Sequence, residues 1–405
     1  MKEKSNILPT LLGLDLNAYS VAMAFHSAYG VRSYAFGRYT CGISEFSKII
    51  KIEFCSGYQG VDSILPELIS FAKKNRGKRL ILVPCSDIYV EFVNKYSIEL
   101  SEYYEYLVPT GKLVDRLTNK AELYRELRER KIDFPEFFSC SMGENYVKKL
   151  LKLEYPLVLK PAVSTEYWGH PFPKMKKVYY PKNRDEAANI ISEMRYYGYM
   201  GEIILQKLVT NHEAYVYTAL YNKNGDCDFG VFGRVMLGEI GKTSRGNYSV
   251  IVTEERGAIC DELDKFLKDV GYFGFANFDI LKSGDKYYVL ELNARQGRSC
   301  DHILKAGINI AERLIFCLDN NEITEKREYQ KILWHYPTFK TALKFMDEKS
   351  RRDAAALKAE GCAFNALNYR EDLLANPLRT LYVFVHGIRL KRSFKKDYSD
   401  ITESV

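Results

Sequence analysis

The chain has 405 residues, 46% of them hydrophobic and 27% charged, with a formal net charge of +7. That length exceeds one compact core, so two or three domains are expected, and the composition is that of an ordinary globular protein. The mild positive charge suits small anionic molecules and is too weak and too dispersed to indicate nucleic acid.

No stretch approaches the roughly 20 apolar residues of a membrane-spanning helix. The nine cysteines stand singly, without a Cys-x-x-Cys pair, so neither a zinc site nor a redox motif is indicated. An odd number of cysteines and a charged N-terminus without signal-peptide character predict reduced thiols and a cytoplasmic protein.

Residues 1–110 alternate strand and helix patterns. Ile7 to Leu14 reads as a strand, followed by a helix near Ala18 to Tyr29 that Gly30 stops. Arg32 to Phe36 is a second strand, and Arg79 to Val83 a third, ending at Pro84-Cys85-Ser86-Asp87 before a helix near Ile88 to Lys95. This succession predicts a parallel α/β, Rossmann-like domain. Ligands of such sheets bind beyond the carboxyl ends of strands, which places Asp15, Asn17, Ser86 and Asp87 for contact. Loop and helix-cap chemistry is the competing reading of all four.

Residues 111–150 read as helical, with Thr118 or Asn119 capping a helix that begins at Lys120. From about 150 to 320 the pattern turns to α+β. Leu157 to Pro161 is a buried strand with Lys160 near its end, and Ile203 to Val209 is another. Ala214–Tyr221 and Asp228–Leu237 flank an Asn224-Gly225 hairpin turn. Residues 321–405 read as a charged helical extension with a basic end, Arg389 to Lys396. Either its charged end is simply solvated, or it contacts a membrane surface or an anionic partner.

The densest chemistry lies in Gly274 to Asp279 and Tyr288 to Arg298, read as two strands of a hairpin. Period-two alternation places Glu291, Asn293 and Arg295 on one face of their strand, opposite Leu290 and Leu292. A three-residue turn at Ser283-Gly284-Asp285 would set Asp279 on the same face as Glu291, whereas a two-residue turn would set them apart. Two carboxylates about 4 Å apart at an effective dielectric of about 20 repel by roughly 4 kcal/mol. A divalent cation removes that repulsion, and such oxygen donors suit magnesium. The nearby arginines then suggest phosphate. A solvated acidic face is the competing reading.

In chain order the marks are Lys120, Lys160-Pro161, Gln206 to Val209, Glu213, Asp279 and Glu291-x-Asn293-x-Arg295. The set resembles the ATP-grasp superfamily over roughly residues 10 to 320, which implies an α/β N-terminal domain followed by an α+β ATP-grasp fold over 111–320. The resemblance assigns Lys120 and Lys160 to ATP phosphates, Gln206, Lys207 and Val209 to an adenine-binding hinge, and Glu213 to the ribose. It makes Asp279, Glu291 and Asn293 magnesium ligands, and places Arg295, with Arg298 as a second candidate, at the transferred phosphate.

Two departures stand out. The glycine-rich lid of the family is replaced by Ala162 to Lys177, with one glycine and several aromatics, so Lys174, Lys176 or Lys177 would contact phosphate instead. Asn277 stands where some relatives carry arginine.

Leu11 to Tyr19, Cys85-Ser86-Asp87, Gly246-Asn247-Tyr248 and Asn293 to Ser299 are similar to carboxylate–amine ligases of the D-aspartate ligase type. That likeness implies ATP and Mg2+, D-aspartate as the carboxylate donor, an amine acceptor on a peptidoglycan precursor, and an acyl-phosphate intermediate. A different amino-acid or dipeptide ligase, and a nucleotide-binding regulator without activity, are the alternatives.

Overall fold

The computed structural model describes residues 6–141, 146, 150–241, 244–320 and 328–402. The N-terminal sheet is built from β1 (Ile7–Leu12), β2 (Ser33–Gly37), β3 (Ile50–Cys55) and β4 (Arg79–Pro84), all parallel, in the order β3-β2-β1-β4. β1 is buried at every position, as a strand covered by helices on both faces must be. The helix Leu16–Tyr29 follows it. Asp15 caps that helix, its Oδ1 accepting from the N–H groups of Asn17 and Ala18, and Gly30 ends it in the left-handed region.

A small antiparallel sheet follows, from β5 (Phe137–Ser141), β6 (Leu157–Pro161) and β7 (Glu202–Lys207) in the order β5-β7-β6. β5 lies in the stretch expected to be helical. Helices do fill residues 112–118 and 120–129, but the chain then pairs with β7. The helix Arg184–Tyr196 covers one face of this sheet through Ile191 and Met194, which share a core with Leu157, Leu159, Ile203 and Leu205. Lys160 alternates to the opposite face.

The large sheet has seven strands: β8 (Glu213–Tyr221), β9 (Cys227–Gly238), β10 (Tyr248–Glu254), β11 (Gly274–Ser283), β12 (Lys286–Asn293), β13 (Leu333–His335) and β14 (Ala363–Asn365). Their order is β12-β11-β8-β9-β10-β13-β14. The C-terminal segment is therefore more than a helical extension. β13 pairs with β10 and β14 with β13, and the helix Pro377–Thr402 follows. Gly274, at φ +91°, brings β11 against the linker from the first domain, where a Cβ would lie 2.5 Å from the Leu107 carbonyl oxygen.

Candidate active site

The hairpin of β11 and β12 closes on a two-residue turn, Gly284-Asp285, with Ser283 paired to Lys286. Of the two turns the sequence allows, the shorter one is formed. Asp279 and Glu291 nonetheless share a face, because the register shifts between Asp279 and Ile280: Ile280 faces Val289 and Asp279 faces Glu291, leaving Leu290 as an extra residue. This bulge restores the alternation that the shorter turn would have inverted. The freed Leu290 carbonyl accepts from the Tyr124 hydroxyl at 2.7 Å.

Asp279 and Glu291 are directly opposed and within hydrogen-bonding reach. Burial, then the neighbouring Glu291, pushes the Asp279 carboxyl up to about 8. Burial alone would also raise Glu291, but Lys120, followed by Lys177, holds it well below the usual carboxylate range. Lys120 Nζ lies 3.1 Å from Glu291 Oε2 and 3.3 Å from Ser164 Oγ. Lys120 opens its helix, and Asn119 is the cap, its Oδ1 accepting from the N–H groups of Ala121 and Glu122.

Lys160 Nζ donates to Tyr124 Oη at 3.2 Å, and Gln206 Oε1 lies 3.1 Å from the same hydroxyl. Burial and then Lys120 bring the Lys160 ammonium down to about 7. Cationic and anionic groups thus crowd the junction of the small and large sheets. Added negative charge would restore Lys160 to its ordinary state, which is what a polyphosphate offers.

Asn293 sits two residues beyond Glu291 on the same face, with Oδ1 accepting from Arg295 at 3.2 Å and Nδ2 donating to the Asn277 carbonyl. Arg295 also donates to Asp87 Oδ2 at 3.0 Å, which ties the loop after β4 to this strand end. Arg298 donates to Glu239 Oε1 at 2.7 Å and lies over the Tyr336 ring. Asp15 senses both arginines.

Asn17, by contrast, is buried, and its amide donates to the carbonyls of Cys85 and Gln296 at 2.8 and 3.0 Å. It ties the first domain to the Arg295 loop, so the structural reading holds for this residue. Ser86 makes no side-chain cap bond on the helix that follows it.

The expected hinge residues lie at the edge of this cluster. The strand ends at Lys207, so Val209 is in the following loop, its carbonyl 2.7 Å from His212 Nδ1. The exposed Lys207 ammonium is 3.8 Å from Glu136, and Glu213 is 3.6 Å from Lys349. In the segment after β6, Ser164–Trp168 forms a short helix. Of its three lysines, Lys177 is the one felt at both carboxylates, while Lys176 lies over the Tyr179 ring and Lys174 is exposed.

Sequence reading did not single out Tyr124 or Glu239. A tyrosine on an amphipathic helix carries no signal of its own, and Glu239 meets Arg298 across the fold. Tyr248, buried against Asp279, had been noted only as part of a motif.

A divalent cation fits this donor set of two carboxylates and one amide oxygen. Among the described residues no three His, Cys, Asp or Glu side chains form a cluster able to hold a metal on their own. Two carboxylates leave coordination positions for phosphate oxygens and water, the usual manner of holding magnesium.

No family model matches the chain. Its sequence is 29% identical over 320 residues to a D-aspartate ligase of Enterococcus faecium (strain Aus0004), covering 76% of each chain. Among solved structures it resembles a biotin carboxylase–β,γ-ATP complex from Campylobacter jejuni, with TM-score 0.61 and 13% identity over 80% of this chain and 73% of that one. It also resembles an N5-carboxyaminoimidazole synthetase from Staphylococcus aureus complexed with ADP, with TM-score 0.59 and 12% identity over 81% of both chains. The chain has the ATP-grasp fold. An L-amino acid ligase from Bacillus licheniformis shares the fold, with TM-score 0.54 and 14% identity over 76% of this chain and 73% of that one. No helix among the described residues of the chain is long and apolar enough to cross a membrane.

Proposed function

We propose that this protein is an ATP-dependent carboxylate–amine ligase that activates the side-chain carboxylate of D-aspartate and transfers the acyl group to an amine of a peptidoglycan precursor. The ATP half of the reading rests on one observation: Asp279 and Glu291, paired across a bulged hairpin, stand beside Lys120 and within the electrostatic reach of Lys160. The substrate half rests on the 29% likeness to a D-aspartate ligase.

In this reading Lys120, Lys160 and Lys177 bind the phosphates. Gln206, Lys207 and Val209 line the adenine pocket, largely through backbone groups, and Glu213 accepts from the ribose. Asp279, Glu291 and Asn293 hold magnesium, which when bound offsets charge on the transferring phosphoryl group. The carboxylate oxygen attacks the terminal phosphorus, giving an acyl phosphate and ADP. Arg295, oriented by Asp87, stabilises the phosphoryl oxygens through its planar fork. Arg298, beside it, assists. The amine then adds to the acyl carbon, loses a proton, and phosphate departs with the C–O bond electrons. No protein nucleophile is needed.

The test is phosphate release with D-aspartate, L-aspartate and other amino acids, each with and without a precursor peptide bearing a free side-chain amine. Release that requires D-aspartate and the peptide together supports the proposal. Release that is indifferent to D-aspartate, or satisfied by a free amino acid as acceptor, overturns the substrate assignment and leaves the ATP site standing.

A further inference from the structure

The C-terminal helix Pro377–Thr402 carries two different faces. Its inner face is fastened to the body along its length. Arg379, fully buried, donates to the Ile43 carbonyl, reaches Asp372 at 3.3 Å and lies over the Tyr19 ring. His386 Nε2 is 2.6 Å from the Tyr336 hydroxyl. Phe394 is buried, and the Tyr398 hydroxyl donates to the Gly238 carbonyl at 3.2 Å. The helix is therefore a fixed part of the molecule and not a loose tail.

The outer face has an unusual order. At a rotation of about 100° per residue, positions 381, 384, 388, 391, 392 and 395 fall on one stripe. Its first turns are apolar: Leu378, at the stripe's edge, Leu381, Phe384 and Ile388 are between 39% and 66% exposed. Leu374, just before the helix, is 53% exposed, and a shallow apolar groove runs from Leu373 to Phe384. The next turns of the same stripe are Lys391, Arg392 and Lys395, all exposed, and no acid occurs between Arg389 and Lys396. Scattered exposed apolar side chains need no explanation. A continuous row on a rigid helix, running directly into a row of cations, does.

We propose that this stripe is a docking surface for an anionic lipid bilayer. The apolar turns enter the layer between headgroups and acyl chains, and the cationic turns rest on lipid phosphates. Charge complementarity selects this occupant. A bilayer presents apolar and anionic matter side by side over the length of the stripe, and long cationic side chains keep their heads at phosphate level while their stems lie on apolar surface. The proposal does not depend on the identity of the substrates.

The experiment is sedimentation of the full chain with vesicles of phosphatidylcholine alone and of phosphatidylcholine mixed equally with phosphatidylglycerol, at low and high salt. Retention is expected on the anionic vesicles only, and it should weaken with salt. Lys391→Glu with Arg392→Glu should lower partitioning by about fivefold or more per residue, and Leu381→Gln with Phe384→Ser should abolish retention even at low salt. Both pairs are exposed, and unaltered circular dichroism and ATP binding would verify folding.

No retention by the unaltered protein, equal retention on both vesicles, or retention undiminished in the two variants would overturn the proposal. So would a dimer in sedimentation velocity that the Leu381/Phe384 variant splits while vesicles retain nothing, since the stripe would then belong to a second copy of the chain.

Discussion

Two acidic positions on the large sheet, Asp228 fully buried and Asp279 half-buried, meet the loss of water in opposite ways. Asp228, in β9, receives the Arg313 guanidinium through both carboxylate oxygens, with Nε at 2.7 Å from Oδ2. Charge, geometry and hydrogen bonding all match, as a buried ion pair requires. Asp279, in β11, instead faces a second carboxylate, and the nearest cations, on Lys120 and Lys177, are drawn to Glu291. Among the described residues no guanidinium pairs with Asp279 in the same way, and burial beside Glu291 raises its carboxyl above the usual carboxylate range. A matched pair holds a fold together, whereas an unmatched one is tolerated only where something from outside completes it.

That contrast can be broken at either end. The largest effect is expected from Glu291→Gln, which should cut ATP turnover on the order of a thousandfold, within the range for losing a preorganised charge-stabilising group. The same change strands the Lys120 ammonium, 3.1 Å away, while freeing Asp279 to ionise in its place, so the melting temperature of the nucleotide-free protein should change by only a few degrees. A loss of fold in place of turnover would show that the pair is structural.

Arg313→Leu should do the reverse. It strands Asp228 and costs about 3–5 kcal/mol of stability, measured by urea titration, while turnover per folded molecule stays unchanged.

Gly297→Ala sharpens the comparison near the site. A Cβ there would lie 2.5 Å from Asn277 Oδ1, which accepts from Thr218 Oγ1 at 2.7 Å. A stability loss of about 1–3 kcal/mol is expected from overpacking, together with weaker turnover, because Asn277 also receives Asn293 through its carbonyl.

The smallest effect concerns acid. Burial, then Arg298, Arg389 and Arg379, lower His386 from 6.5 to about 4. The unfolded chain thus binds this proton first, and the histidine's contribution to stability is lost as pH falls from about 6.5 through about 4. Replacement by Gln should flatten the melting-temperature profile by a few degrees in that window, to be read by calorimetry.

The sequence made the polar face of β12 legible because alternation along a strand needs only local information: Glu291, Asn293 and Arg295 had to share a side. It could not reveal how Asp279 joins them. The two-residue turn argued against it, and the bulge that reverses the argument is held by Tyr124, far away in sequence. The parallel first domain was readable from its strand–loop–helix rhythm. β5, β13 and β14 were not, since a strand of three to five residues is defined by the neighbour it pairs with more than by its own pattern. Asn17 stands at a strand-end loop, where ligands gather, yet its amide is consumed in joining two domains. Position alone does not distinguish those uses.

The Tyr124 hydroxyl lies within hydrogen-bonding distance of Lys160 on β6, Gln206 on β7 and Leu290 on β12. Small sheet and large sheet therefore converge on one oxygen atom. Any hinge motion that widens the gap between them must pull on that atom, and so on the extra residue that keeps Asp279 opposite Glu291. In the proposed reaction, admission of a nucleotide and alignment of the strand beneath its phosphates would thus be mechanically linked.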